Sequence, residues 1–283
     1  MRARSFVYVC IVYVGALAAA AITCRAMTTL DPIWALALAD VAATIVVFVG
    51  SRRANNSSIY DAYWSLIPMA ISVWFATLAP ELSLRAGLVL MGMWAWGARL
   101  TFNWARGWPG LHHEDWRYVD LRKKTGKLYW PVSFLALHFF PTVLTWLGSL
   151  PMLPAMQSNA ALSWVDGAAV LVTVAAIALE TISDEQLRNF RAGKPTGACD
   201  VGLWKYSRHP NYFGEILFWV GIWLFGVAGG APTWMVAGPV AMVALFLFAS
   251  IPMAEKHALA RRPEYAQRIA KVSMLVPWFP KKA

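Results

Sequence analysis

Apolar runs long enough to be helices recur along the whole chain, with short polar segments between them. By hydropathy they fall near 5–24, 32–51, 62–80, 86–104, 129–150, 161–183, 212–229 and 232–254. Each is close to the roughly 20 residues that a helix needs to cross the hydrocarbon core of a bilayer. The pattern predicts an all-α integral membrane protein, a multi-span helical bundle of about eight spans, with seven possible. The first run has no small-residue cleavage site followed by a soluble domain, so a retained helix is expected rather than a signal peptide.

Composition strengthens this picture: of 283 residues 59% are hydrophobic and 14% charged, which is too apolar for an ordinary soluble domain. The formal net charge of +10 could point to nucleic acid, but its placement points to topology. Basic residues lie at Arg2 and Arg4, at Arg52 and Arg53, from Arg106 to Lys127, from Arg188 to Arg208, and from Lys256 to Lys282. The alternate segments hold only Arg25 and Arg85. With eight spans every basic segment falls on one side, which the positive-inside rule makes cytoplasmic, with both termini inside. No nucleic acid is needed; contact with anionic membrane lipids accounts for the rest of the charge. Cys10, Cys24 and Cys199 lack metal-ligand spacing, and no metal site is expected.

Ionisable residues inside spans must be paired or face a cavity, so each is a candidate for function. Asp61, Arg99, Glu180 and Glu215 lie near the cytoplasmic ends of four runs, whereas Asp40 and His138 lie nearer the middle. The four at one depth suggest a polar chamber open to the cytoplasm. The plainer alternative is structural pairing, Asp61 with Arg99 for instance. Asp40 reads as a structural hydrogen-bonding group and His138 as a packed helix histidine.

Glu180, Asp184, Arg188 and Arg191 are spaced by four, four and three, which puts them on one helix face. They form either a ladder of local ion pairs or a ligand face, with carboxylates deep for a ribose or amide and arginines outward for phosphates. In "GLWKYSRHPNYFGEILFWVG", Pro210 suits a first helical turn. Arg208 and His209 just before it would make an anion site. Asn211 and Glu215 follow one turn apart, offering the donor and acceptor that a carboxamide requires. Gly214 would let a flat group approach the backbone. The tail "MAEKHALARRPEYAQRIAKVSMLVPWFP" looks amphipathic and is expected as a cytoplasmic interfacial helix ending in an apolar anchor. Glu255, Lys256 and Tyr265 could close a cofactor site from above.

These motifs together resemble the steroid 5α-reductase family of membrane enzymes, in particular its bacterial members. The resemblance covers roughly the C-terminal 110 residues well and the N-terminal half loosely. It implies an NADPH-dependent reductase acting on the C4–C5 double bond of a 3-oxo-Δ4-steroid or similar lipid enone in the bacterial inner membrane. It divides the single transmembrane domain, 1–283, into substrate-side helices over 1–150 and a cofactor-binding half over 161–283. It implies cofactor contacts from Glu180, Asp184, Arg188, Arg191, Tyr206, Arg208, His209, Asn211, Glu215, Lys256 and Tyr265. The family's arginine and histidine before the tail helix fall on Ser250 and Ala254, and one of its asparagines falls on Glu180. The family's acid and tyrosine that grip the ketone match less directly. Asp61 is the nearest acid, with Tyr60 and Tyr63 beside it, and Trp96 falls where the tyrosine would be.

On that reading a donor polarises the ketone oxygen while hydride reaches the β-carbon, because negative charge develops on that oxygen. Two other classes remain open. The tail is shared with isoprenylcysteine-type methyltransferases that use S-adenosylmethionine, although two outward arginines suit a ligand with several phosphates better. A transporter would use the same buried charges as a permeation path, but no inverted repeat is visible.

Overall fold

The computed structural model describes residues 1–193 and 197–281, so Lys194 and Lys282 of the basic segments lie outside the described residues. Among these residues every regular element is a helix, apart from one isolated bridge between Ser207 and Ser273. Among the described residues six helical stretches are long and apolar enough to cross a membrane: Arg2–Ala26, Pro32–Arg53, Trp116–Gln157, Trp164–Ala192, Pro210–Ala228 and Thr233–Arg261. The chain is thus built for a membrane.

Two of the eight expected runs differ. The runs at 62–80 and 86–104 form helices α3, Tyr60–Thr77, and α4, Leu84–Gly107, but neither is among the six. Tyrosines, tryptophans and Asp61 dilute α3, and Arg85, Arg99 and Arg106 dilute α4. The helices before them, α1 (Arg2–Ala26) and α2 (Pro32–Arg53), match their runs closely. Asp31 caps α2, its carboxylate accepting from the Ile33 N–H at 2.8 Å, with Pro32 at the first position.

The run at 129–150 is not one regular helix. After α5 (Trp116–Thr125) the chain forms α6 (Tyr129–Ser133), a π turn over Phe134–Phe139, α7 (Phe140–Ser149) and α8 (Met152–Gln157). The run at 232–254 is likewise split, into α11 (Ala237–Leu245), a π turn over Phe246–Ser250 and α12 (Ile251–Arg261). Each π turn stops two residues before a proline, Pro141 or Pro252. Proline has no N–H to give and its ring crowds the carbonyl four residues back, so the preceding turn widens. Between these lie α9 (Trp164–Ala192) and α10 (Pro210–Ala228).

The chain divides into two compact units, Met1–Gln157 and Ser158–Ala283. In the first unit α1 runs along α2, and α3 along α4. Arg2 fastens the start of α1 to the end of α4: its guanidinium donates to the carbonyls of Ala105 at 2.7 Å, Trp108 at 3.0 Å and Arg106 at 3.2 Å. Those carbonyls have no partner within their own helix, and a cation suits the negative helix end. The segments between helices are tied as well. Asn56 Nδ2 donates to the carbonyls of His113 and Leu111, and Glu114 accepts from the Ser57 N–H at 2.8 Å and from Arg122.

In the second unit α9 and α10 pack along their length. Gly214 and Gly221 make this possible. A Cβ on Gly214 would lie 2.5 Å from Glu180 Cγ, and one on Gly221 would lie 2.3 Å from Thr173 Oγ1. Small residues at such contacts let two helix backbones approach closely. The expected amphipathic tail helix is interrupted. Arg262 leaves helical geometry at φ −146° and ψ 88°, as a residue before proline tends to, so α12 ends and a short α13, Tyr265–Lys271, follows.

Candidate functional site

The helix α9 carries Glu180, Asp184, Arg188 and Arg191 on one face and extends nine residues past its apolar run. Polarity is graded along it. Glu180 is 2% exposed, Asp184 is half-buried, and Arg188 and Arg191 are exposed. Arg188 turns partly to its own helix, donating to Glu185. Arg191 has no ion pair among the described residues.

On α10, Asn211 and Glu215 occupy successive turns. The Asn211 carboxamide donates to Asp184 Oδ1 at 3.3 Å, which brings together two residues singled out from separate motifs. The buried Glu215 accepts from the Trp219 indole N–H at 2.9 Å, a bond across one helical turn. The space expected beside Gly214 for a flat group is filled by Glu180, so this glycine serves helix packing.

Arg208 and His209 are placed differently from the expected anion site. Both are 7% exposed. Arg208 Nε donates to Glu255 Oε1 at 2.6 Å, and its Nη1 donates to the carbonyls of Val272 at 2.7 Å and Ile269 at 2.9 Å. His209 Nε2 lies 3.1 Å from the same Glu255 oxygen. A guanidinium whose donors are already spent on a carboxylate and two carbonyls has little left for phosphate. These residues form a clasp that fastens the tail to the start of α10. Tyr265 is buried in the same region, and burial, with the Glu255 carboxylate adding to it, pushes its phenol above the ordinary range. Lys256 is exposed, and Tyr206 presents its ring to the edge of Phe279 at 5.8 Å.

In the first unit, Asp61 sits in the opening turn of α3 and is held by α5. The Tyr118 hydroxyl donates to Asp61 Oδ1, and Arg117 Nη2 lies 3.8 Å from the same oxygen. Its ion-pair partner here is therefore Arg117, not the Arg99 suggested as an alternative. Tyr60 and Tyr63 are buried and face the other way, into the helices. Thr142 donates to the His138 carbonyl at 2.8 Å, so its contacts at 2.7 Å with Tyr60 and 2.6 Å with Thr44 are ones in which it accepts. The Tyr60 proton is thereby committed to Thr142. The Tyr63 hydroxyl reaches Asp40 Oδ1 only at 3.5 Å, and the buried Asp40 Oδ2 has no hydrogen-bond partner among the described residues. His138 Nδ1 lies 2.9 Å from the Ser133 carbonyl, which can only accept, so Nδ1 carries the proton and Nε2 accepts from Ser51 at 3.2 Å. Trp96 is fully buried in α4.

Sequence reasoning missed Tyr118 and Arg117, which lie in the segment from Arg106 to Lys127 that counted only toward the basic charge. The one local signal was Asp115 as a helix cap, its carboxylate accepting from the Arg117 N–H at 2.9 Å. The pairing itself spans 57 positions. Among the described residues no group of three or more His, Cys, Asp or Glu could hold a metal ion.

A family of proteins of unknown function, DUF1295, matches residues 47–272. An uncharacterized protein of Schizosaccharomyces pombe is 26% identical over 253 residues, which cover 79% of this chain and 73% of that protein. No solved structure matches the chain significantly. The matched span takes in the end of α2, both clusters described above and all of α13, and the chain belongs to the DUF1295 family.

Proposed function

We propose that the protein is a membrane-embedded, NADPH-dependent reductase of the C4–C5 double bond of 3-oxo-Δ4-steroids or similar lipid enones. It would lie in a bacterial inner membrane with eight spans, α3 and α4 included, and with both termini and the cofactor residues at the cytoplasmic face. The observation that carries the reading is the graded face of α9, joined to α10 through the bond from Asn211 to Asp184. Buried acids at one end and exposed guanidinium groups at the other fit a long ligand with an amide at one end and phosphates at the other.

Bound NADPH supplies the hydride; positioning and electrostatics are the work of the protein. Arg191, and Arg188 once released from Glu185, would hold the phosphates of such a ligand. Asn211 and Glu215 offer a donor and an acceptor that orient a carboxamide. Arg208 and His209 act indirectly, by holding the start of α10 in place through Glu255. The candidate proton donors are Asp61 and the Tyr118 that hydrogen-bonds it. A proton shared between them can be given to a ketone oxygen as negative charge gathers there.

Titrating the purified protein with NADPH, NADH and S-adenosylmethionine, and then following reduction of a 3-oxo-Δ4-steroid, tests this reading. Tight binding of NADPH with turnover is expected. Binding of S-adenosylmethionine in its place would overturn the reductase assignment in favour of a methyltransferase.

A further inference from the structure

The segment after α13 is non-helical, yet its backbone is fastened. The Arg208 N–H donates to the Ser273 carbonyl at 2.8 Å and the Trp278 N–H to the Tyr206 carbonyl at 2.9 Å. Ser207 Oγ donates to the Leu275 carbonyl at 2.7 Å, and the Lys281 N–H to the Lys271 carbonyl at 2.9 Å. A chain held at these points is not a fraying end. Even so, it presents large apolar side chains outward: Trp278 is 70% exposed, Phe279 76% and Val276 53%. Holding a contiguous apolar patch in water on a rigid backbone is unfavourable and marks a contact surface.

Lysines stand at several points along the segment and the stretch of chain bonded to it, while the acids nearest to them in sequence, Asp200 and Glu264, lie just outside 201–214 and 265–281. Lys205, Lys271 and Lys281 are all exposed. Lys205 adjoins Tyr206, whose ring meets Phe279, and Lys271 and Lys281 share a backbone bond. Neither 201–214 nor 265–281 contains an acidic residue. Tryptophan and phenylalanine bordered by lysines suit the boundary between acyl chains and anionic headgroups, where the rings bury while the ammonium groups meet phosphate.

We propose that Trp278 and Phe279, rimmed by Lys205, Lys271 and Lys281, form an anchor that seats in the interface of an anionic membrane leaflet. The anchor is the fastened non-helical segment, not the amphipathic face of a tail helix. Its bonds to residues 206–208 tie it to the start of α10, so it sets the depth of the first turn of α10, where Asn211 lies, relative to the headgroups. This inference does not depend on the reductase reading.

The test uses the full chain with Cys10, Cys24 and Cys199 replaced by alanine. A nitroxide is attached in turn through Phe279→Cys, Trp278→Cys, Val276→Cys or Lys205→Cys. Each protein is reconstituted in phosphatidylcholine vesicles with or without phosphatidylglycerol. Power saturation then compares collisions with oxygen, which partitions into lipid, and with a nickel chelate, which stays in water. Oxygen should dominate at 276, 278 and 279, and the chelate at 205. Replacing Lys205, Lys271 and Lys281 by glutamine should move the label at 279 toward water only where phosphatidylglycerol is present. Chelate dominance at 276, 278 and 279 would overturn the proposal. So would dipolar broadening at 279 that vanishes on dilution with unlabelled protein, because the patch would then face a second copy of the chain. A depth unchanged by loss of the lysines would overturn the anionic part.

Discussion

Asp61 and Arg208 show how differently two charged side chains can be placed at superficially similar helix entrances. Asp61 meets a tyrosine and a half-exposed arginine, its own side chain being 20% exposed and that of Arg117 42%. An ion pair so open to solvent contributes only about 0–1 kcal/mol. Asp61→Asn should therefore leave thermal stability nearly unchanged, and under the proposed reading it should lower kcat by about 10²–10⁴, the range for a positioned acid. Tyr118→Phe should lower kcat in the same direction. A large loss of stability with turnover per folded molecule preserved would make Asp61 a structural residue. Arg208 is the opposite case. Its pair with Glu255 is buried, at 8% and 14% side-chain exposure, and stripping one partner from such a pair costs roughly 3–5 kcal/mol. Arg208→Ala should lower the melting temperature markedly in detergent. Arg191→Ala should leave it unchanged while weakening NADPH about tenfold or more, the worth of a charged hydrogen bond. If Arg191→Ala left affinity intact, the α9 arginines would be a solvated helix face. The sequence placed Arg191 and Arg208 in the same class because both stand at the polar end of an apolar run. What separates them is Glu255, 47 positions after Arg208, and no local pattern carries that contact.

At the level of elements, hydropathy found every long helix but not its interior. The runs at 5–24 and 32–51 became α1 and α2 because nothing in them interrupts the backbone ladder. Those at 129–150 and 232–254 contained their own signal of irregularity, Pro141 and Pro252, which apolar periodicity does not register. The extension of α9 was legible in the four, four, three spacing of Glu180, Asp184, Arg188 and Arg191. The closeness of α9 and α10 was half legible: Gly214 was noticed, but as space for a ligand, and only its neighbour Glu180 shows that the space is filled by protein. Gly214→Ala tests this. Its new Cβ would lie 2.5 Å from Glu180 Cγ and 3.0 Å from the Ala176 carbonyl oxygen. The side chain can move but the backbone carbonyl cannot, so overpacking should cost about 1–3 kcal/mol. If Gly214→Ala kept full stability and lost only cofactor affinity, the glycine would be facing a ligand after all.

For the whole molecule the open quantity is the number of crossings, and hydrogen bonds constrain its parity. Arg2 joins the start of α1 to the end of α4, so α1 to α4 must cross the membrane an even number of times. That is consistent with α3 and α4 both crossing, despite the polar residues that dilute them. In the second unit the Trp204 indole N–H donates to the Ser183 carbonyl at 2.8 Å, and the Leu203 N–H to Gln186 at 2.8 Å, placing the start of α10 beside the end of α9. The bond from Trp278 to Tyr206 brings the tail to that same end. What remains is the 42-residue stretch Trp116–Gln157, long enough for one crossing or two. One crossing, followed by the return of α9, would place both termini on one face, which the positive-inside rule predicts to be the cytoplasmic one. Two crossings would put them on opposite faces. We expect one, because α5 holds four basic residues and its Tyr118 and Arg117 are bonded to the opening turn of α3, which leaves only 129–157 to span. Fusing a cytoplasm-dependent fluorescent reporter to each terminus in turn settles it: both fusions should fluoresce, and a dark fusion at one end alone would establish an odd count.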